Sequence, residues 1–95
     1  VIEAQACGAP VVIPDVPGMR ESTGDVAVVV PRIAVDDLRL AMESLADDDG
    51  LRARLRSEGL AQVRRFSWDR TARGVLDVLV EAASVQPLHA VGRAL

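Results

Sequence analysis

Residues 6–14, ACGAPVVIP, combine the end of a helix with the start of a buried strand. Residues 1–7 have the composition of a helix end, and Gly8 can adopt the left-handed conformation that terminates a helix at little steric cost. Pro10 then prevents the helix from resuming. Residues 11–13 are all β-branched and apolar on both faces, which is typical of a strand inside a parallel sheet.

A second apolar run, residues 27–30, predicts a neighbouring strand that ends at Pro31. The intervening PDVPG, residues 14–18, is turn chemistry, and residues 19–23 have room for one helical turn at most. Two apolar strands joined by a short crossover predict adjacent parallel strands in an α/β fold. Because two strands do not make a stable sheet, we expect further strands upstream of Val1. Val1 itself falls inside a predicted helix, so we expect the chain to be a fragment.

Three helices are predicted after the second strand. The apolar stripes of these helices comprise Val35, Leu38, Ala41, Met42 and Leu45 in the first, Leu51, Leu55, Leu60, Val63 and Phe66 in the second, and Trp68, Ala72, Val75, Leu76, Leu79 and Ala83 in the third. Ser67 is placed to cap the third helix. The periodicity fails after residue 83, so we predict a domain part over residues 1–83 and a loosely ordered tail over residues 84–95.

Composition excludes several classes of protein. Of 95 residues, 49% are hydrophobic and 26% charged, which is typical of a globular domain, and the net charge of −3 disfavours nucleic-acid binding. The single cysteine excludes an internal disulfide. The single histidine, His89, lies near the C-terminus, so the sequence supports neither a Cys–His metal cluster nor a Ser-His-Asp set. The acidic run at residues 47–49 could suggest a metal, but a solvated turn between helices is the favoured interpretation. The mixed charges of residues 36–65 favour a solvated face over contact with a membrane.

Residues 1–12, VIEAQACGAPVV, resemble the C-terminal half of the donor-binding motif of retaining GT-B glycosyltransferases of the group 1, or family-4-like, class. In that family the segment runs E-A-x-A-C-G-x-P-V-V, and Glu3 falls on the second of two motif glutamates. The similarity continues in order through DVPGMRE at residues 15–21 and GDVAVVVP at residues 24–31. It extends to the helices at residues 51–55 and 66–72. Pro17 replaces the first glycine of the family's loop.

The resemblance implies a partial Rossmann-like C-terminal domain of a GT-B fold, with two short parallel strands followed by three helices. It also implies transfer of a sugar from a nucleotide-diphosphate sugar, with retention of anomeric configuration, by a parent enzyme of hexosyltransferase type. The family's first glutamate, its glycine loop and its N-terminal acceptor domain would lie upstream of Val1. We therefore expect no catalytic residue and no activity in this fragment alone, no metal or other cofactor, and an unidentified sugar, lipid or small-molecule acceptor. The predicted location is cytoplasmic, with a peripheral position at the inner membrane face as the alternative.

Glu3 is the main candidate site residue, because the resemblance assigns it to the donor ribose. A carboxylate suits that task, since its two oxygens can accept hydrogen bonds from two vicinal hydroxyls. The alternative is an ordinary first-turn glutamate of a helix. Asp15 and Gly18 are weaker candidates at the carboxyl end of the first strand, where loop shaping is favoured over ligand contact.

Four other residues are interpreted without a role in binding. We expect Arg32 to be a solvated surface residue, Cys7 to be buried as a small apolar group, Trp68 to anchor packing and His89 to be exposed. Two functional alternatives remain open. One is another GT-B-shaped nucleotide-sugar enzyme, either an epimerase or an inverting transferase. The other is a degenerate α/β interaction module that has lost the site.

Overall fold

The computed structural model describes residues 1–85. Its elements in chain order are α1 (Ile2–Ala6), β1 (Val12–Pro14), α2 (Pro17–Thr23), β2 (Val28–Val30), α3 (Val35–Asp47), α4 (Asp49–Gln62), a 3-10 turn (Val63–Arg65) and α5 (Trp68–Ala83). The chain divides into two compact units, Val1–Arg65 and a second that begins at Phe66.

The two strands of the first unit pair in parallel, as the sequence predicts. The register places Val12 opposite Val28, Ile13 opposite Val29 and Pro14 opposite Val30. The fold is α/β and compatible with part of a Rossmann-like domain. The buried apolar side chains come from both strands and from α3 and α4, and they are Ile13, Val30, Ala41 and Leu55.

Two glycines end helices in the left-handed conformation. Gly8 has φ +81°, as the sequence predicts, and a Cβ there would lie 2.7 Å from Arg56 Nη1. Gly24 has φ +61° and caps α2. The prediction of one helical turn at most in this region is wrong, because α2 spans seven residues. Pro17 begins the helix at a position where its missing N–H removes no hydrogen bond.

The break between α3 and α4 is shorter than the acidic run at residues 47–49 suggests. Asp48 alone separates the helices, and its carboxylate accepts a hydrogen bond of 2.9 Å from the backbone N–H of Leu51. Arg52 donates to the carbonyl oxygens of Leu45, at 2.5 Å, and Ala46, at 2.7 Å. These bonds satisfy carbonyls that the end of α3 would otherwise leave without partners.

The second unit, as far as residue 85, contains α5. Ser67 caps this helix, as predicted, by accepting a 3.1 Å hydrogen bond from the backbone N–H of Arg70. No residue of α5 is buried, and Trp68 is 88% exposed. The predicted packing role of Trp68 stays a prediction. The predicted tail and His89 lie outside the described residues from position 86 onward.

Within residues 1–85, no helix has both the length and the apolar composition needed to cross a bilayer.

Candidate functional site

Glu3 lies in the first turn of α1 with its side chain exposed. Among residues 1–85 its carboxylate has no hydrogen-bond or ion-pair partner. Gln5, two residues further along α1, is only 1% exposed and is the buried residue of this helix. The short helix therefore directs one polar side chain into the protein and the other out to solvent.

Asp15 follows β1 directly, and its backbone N–H donates to the carbonyl oxygen of Val30 at 2.9 Å. Its carboxylate accepts a 2.6 Å hydrogen bond from Nε of Arg20, whose Nη1 lies 3.3 Å from the carboxylate of Asp25. The hydrogen bond from Arg20, assisted by its charge, lowers the pKa of Asp15 below the ordinary value of 3.8. The same bond raises the pKa of Arg20.

Replacing Arg20 by Gln should return the pKa of Asp15 upward toward 3.8, because the donor and the positive charge are both lost. A carboxyl with a depressed pKa contributes stability above its unfolded pKa and loses that contribution as pH falls through the folded value. All three side chains are at least 43% exposed, so the change in stability should be small. A carboxyl NMR titration measures the shift. Arg39→Gln, which removes pairs with Asp36 and Glu43, is the matched control and should leave Asp15 unchanged.

Gly18 lies in the first turn of α2 with open space where a Cβ would be. Its backbone therefore has no steric need for glycine. Arg32 has a 78% exposed side chain and pairs with Asp37 at 2.8 Å, in keeping with the predicted surface role. Cys7 is exposed, so the prediction of a buried thiol is wrong. The cysteine follows the last residue of α1 and faces solvent just before the chain turns at Gly8.

A shallow, largely apolar groove lies between β2 and α3. Its volume is about 290 Å³, and its lining consists of Val28, Val29, Val30, Pro31, Asp37, Leu40 and Ala41. None of the three predicted site residues lines this groove. Within residues 1–85, no group of three or more His, Cys, Asp or Glu side chains is placed to hold a metal ion.

A buried amide cluster, formed by Gln5 and Gln62, is the polar feature that the sequence analysis missed. The Gln5 amide nitrogen donates to the carbonyl oxygens of Thr23, at 3.3 Å, and Val26, at 2.9 Å. Its oxygen accepts from the Gln62 amide nitrogen at 2.5 Å, and that nitrogen also lies 3.0 Å from the Ser22 carbonyl oxygen. The sequence gives only a weak signal that Gln5 is buried. Gln5 lies three residues after Ile2, so the two share one face of the helix, and Ile2 is half-buried.

Curated proteins similar to this chain are glycosyltransferases. The D-inositol 3-phosphate glycosyltransferase of Xylanimonas cellulosilytica is 42% identical over 87 residues, which cover 90% of this chain and 21% of the relative. Its namesake from Streptomyces bingchenggensis is 37% identical over 83 residues, covering 85% and 18%. The O-antigen chain mannosyltransferase B of Escherichia coli is 35% identical over 69 residues, covering 73% and 18%.

The chain is homologous to part of these glycosyltransferases. It spans about a fifth of the length of the curated relatives it matches. No family model matches the chain, and no solved structure matches it. The similarity to the Xylanimonas relative covers 90% of this chain and is therefore not confined to one motif.

Proposed function

We propose that this chain forms part of the nucleotide-sugar-binding domain of a retaining GT-B glycosyltransferase, with Glu3 holding the donor ribose. The observation that carries the proposal is the 42% identity to a glycosyltransferase over 90% of the chain. The Glu3 carboxylate is exposed and has no partner among residues 1–85, which is consistent with a ligand contact.

Sugar transfer requires groups that hold the donor and orient its anomeric carbon toward an acceptor. In the proposal Glu3 supplies one of these contacts by accepting hydrogen bonds from the ribose hydroxyls. This contact is remote from the bond that breaks, so it holds ground state and transition state alike and acts on donor affinity. Groups that stabilise the departing diphosphate belong to parts of the enzyme outside this segment. We propose that the reaction requires no metal ion bound by the protein.

Asp15 and Gly18 have lesser parts in the proposal. The ion pairs of Arg20 with Asp15 and Asp25 brace the connection that leaves the carboxyl end of β1. Ligands of open parallel sheets collect at this edge. Asp15 therefore shapes the loop beside the donor site, and Gly18 leaves open space above α2.

A hybrid enzyme tests the proposal directly. In the hybrid, this chain replaces the matching segment of the Xylanimonas D-inositol 3-phosphate glycosyltransferase, which covers 21% of that relative. The hybrid should transfer sugar from the relative's donor to D-inositol 3-phosphate. The NMR spectrum of the product should show the donor's anomeric configuration. This chain assayed alone should show no transfer.

In the hybrid, Glu3→Ala should raise the donor KM by roughly tenfold to a hundredfold with little change in kcat. Hydrogen bonds to a charged group contribute about 1.5–3 kcal/mol, and each 1.4 kcal/mol corresponds to about tenfold in affinity. Glu43→Ala is the control, because Glu43 is also an exposed helical glutamate but pairs with Arg39 on α3. Steady-state kinetics measure both variants. An unchanged KM in Glu3→Ala would remove the ribose role.

The two alternative functions give different outcomes in the same hybrid. A folded hybrid that neither binds the donor nor transfers sugar would favour the degenerate interaction module. Inversion at the anomeric carbon would favour an inverting transferase, and epimerised nucleotide sugar without transfer would favour an epimerase.

A further inference from the structure

The end of α2 collects side-chain donors from three other elements. Three successive carbonyl oxygens, those of Glu21, Ser22 and Thr23, accept N–H groups from Arg65, Gln62 and Gln5 respectively. These donors come from the 3-10 turn, α4 and α1. The Glu21 and Thr23 carbonyls also accept the backbone N–H groups of Gly24 and Val26. The three side chains add the further donors that complete the C-terminus of α2.

Gln5 is the most constrained of these donors. It is 1% exposed. The two N–H groups of its amide donate to the Thr23 and Val26 carbonyl oxygens. Its oxygen accepts from Gln62 at 2.5 Å. A side chain bound by three partners on separate segments permits little rotation of the helix that carries it.

The helical spacing couples Gln5 to Glu3. Residues two apart on an α-helix point about 200° away from each other, at 3.6 residues per turn. Anchoring Gln5 inward therefore directs Glu3 outward, and the observed exposures agree: Gln5 is buried and Glu3 is exposed.

We propose that Gln5 and Gln62 are positioning residues, which set the rotation of α1 and thereby aim the Glu3 carboxylate at the donor ribose. This inference rests on the proposed function. Gln5 acts by orienting its own helix, and Gln62 acts through Gln5. Neither amide touches the donor in this scheme, so their loss should weaken recognition of the ribose hydroxyls while the chemical step keeps its rate.

The test measures ribose preference in the hybrid enzyme. Ribose preference is the ratio of kcat/KM for the natural donor to kcat/KM for its 2′-deoxyribose analogue. We expect a preference of about tenfold or more without substitution, since a carboxylate loses one charge-assisted hydrogen bond with the analogue. Glu3→Ala should bring the ratio close to one. Gln5→Met should lower the ratio several-fold by raising the KM for the natural donor.

Arg52→Met is the matched control. Arg52 also donates to two carbonyls at a helix end, those of Leu45 and Ala46, but at the end of α3. A general loss of stability would affect Arg52→Met and Gln5→Met alike, whereas ribose preference should fall only in Gln5→Met. Gln62→Met provides a second variant that keeps both Gln5 donor bonds, and it decides the question if Gln5→Met does not fold.

The outcomes separate the two proposals. Full ribose preference in folded Gln5→Met or Gln62→Met, together with its loss in Glu3→Ala, would overturn the positioning role and leave the ribose role standing. Ribose preference that is absent from the unsubstituted hybrid, or unchanged in Glu3→Ala, would overturn the proposed function itself. A parallel fall in Arg52→Met and Gln5→Met would show a merely structural effect and also overturn the positioning role.

Discussion

Replacing Gln5 by Glu should destabilise the unit Val1–Arg65 by about 3–5 kcal/mol at neutral pH. The amide nitrogen that donates to the Thr23 and Val26 carbonyls would become a second carboxylate oxygen, at a position 1% exposed. The Val26 carbonyl would lose the Gln5 donor, the Thr23 carbonyl would keep only the backbone N–H of Val26, and both would face a negative charge. Urea unfolding of the hybrid enzyme, followed at several pH values, measures the change.

The sign of the pH dependence follows from burial. Burial and the facing carbonyl oxygens raise the pKa of the new carboxyl above its unfolded value of about 4.3. A group with a raised folded pKa has its full stability below the unfolded pKa and loses it as pH rises through the folded pKa. The deficit of Gln5→Glu should therefore shrink on acidification, where the protonated acid can donate one hydrogen bond.

Gln5→Met separates the charge from the lost hydrogen bonds. Its side chain has a similar length and no charge, so its deficit relative to the unsubstituted protein should be smaller and should not vary with pH. Equal stabilities of Gln5→Glu and the unsubstituted protein would show that Gln5 is not buried among these carbonyls.

Replacing Ile13 by Ala should destabilise the same unit by about 2–5 kcal/mol, the range for removing a large aliphatic side chain from a core. Ile13 is 1% exposed at the middle of β1, opposite Val29 in the sheet. The loss combines the transfer of three carbon atoms with the cavity they leave. Ile13→Val should lose only about 0.5–1.5 kcal/mol.

Ile33→Ala is the control for Ile13→Ala within the same chain. Ile33 is 76% exposed, so the same truncation should change the free energy of unfolding by no more than about 0.5 kcal/mol. Urea midpoints of the two hybrids give the comparison. Similar losses at the two positions would contradict the burial of β1.

The elements that the sequence predicts well are those with local causes. The β-branched run at residues 11–13 and the apolar run at residues 27–30 form paired parallel strands. Gly8 is left-handed, and Ser67 caps α5 through its own hydroxyl. Each of these outcomes depends on side chains within a few residues of the element, so a sequence pattern contains the necessary information.

The errors arise where neighbours along the chain do not decide the result. Pro17 looks like part of a turn, yet it begins a seven-residue helix, because its fixed φ suits a first helical position and Gly24 supplies a stop. Cys7 resembles a small core residue but lies exposed beyond the end of α1.

The candidate site likewise contains one residue that the sequence predicts and one that only the structure shows. The sequence identifies Glu3 through its resemblance to a glycosyltransferase motif, and the comparisons confirm the relationship to glycosyltransferases. Nothing in the motif shows that Gln5, two residues away, is buried. Its partners Thr23, Val26 and Gln62 lie 18, 21 and 57 residues along the chain.

By itself, then, the sequence determines the α/β class and the two parallel strands through its hydrophobic pattern, and several helix ends through short-range sterics. Sequence identity determines the homology to glycosyltransferases. Only the tertiary structure decides that the end of α2 is completed by Gln5, Gln62 and Arg65. The physical reason is that an amide can bond equally well to water or to a distant carbonyl. Which partner it takes depends on where the fold places that carbonyl.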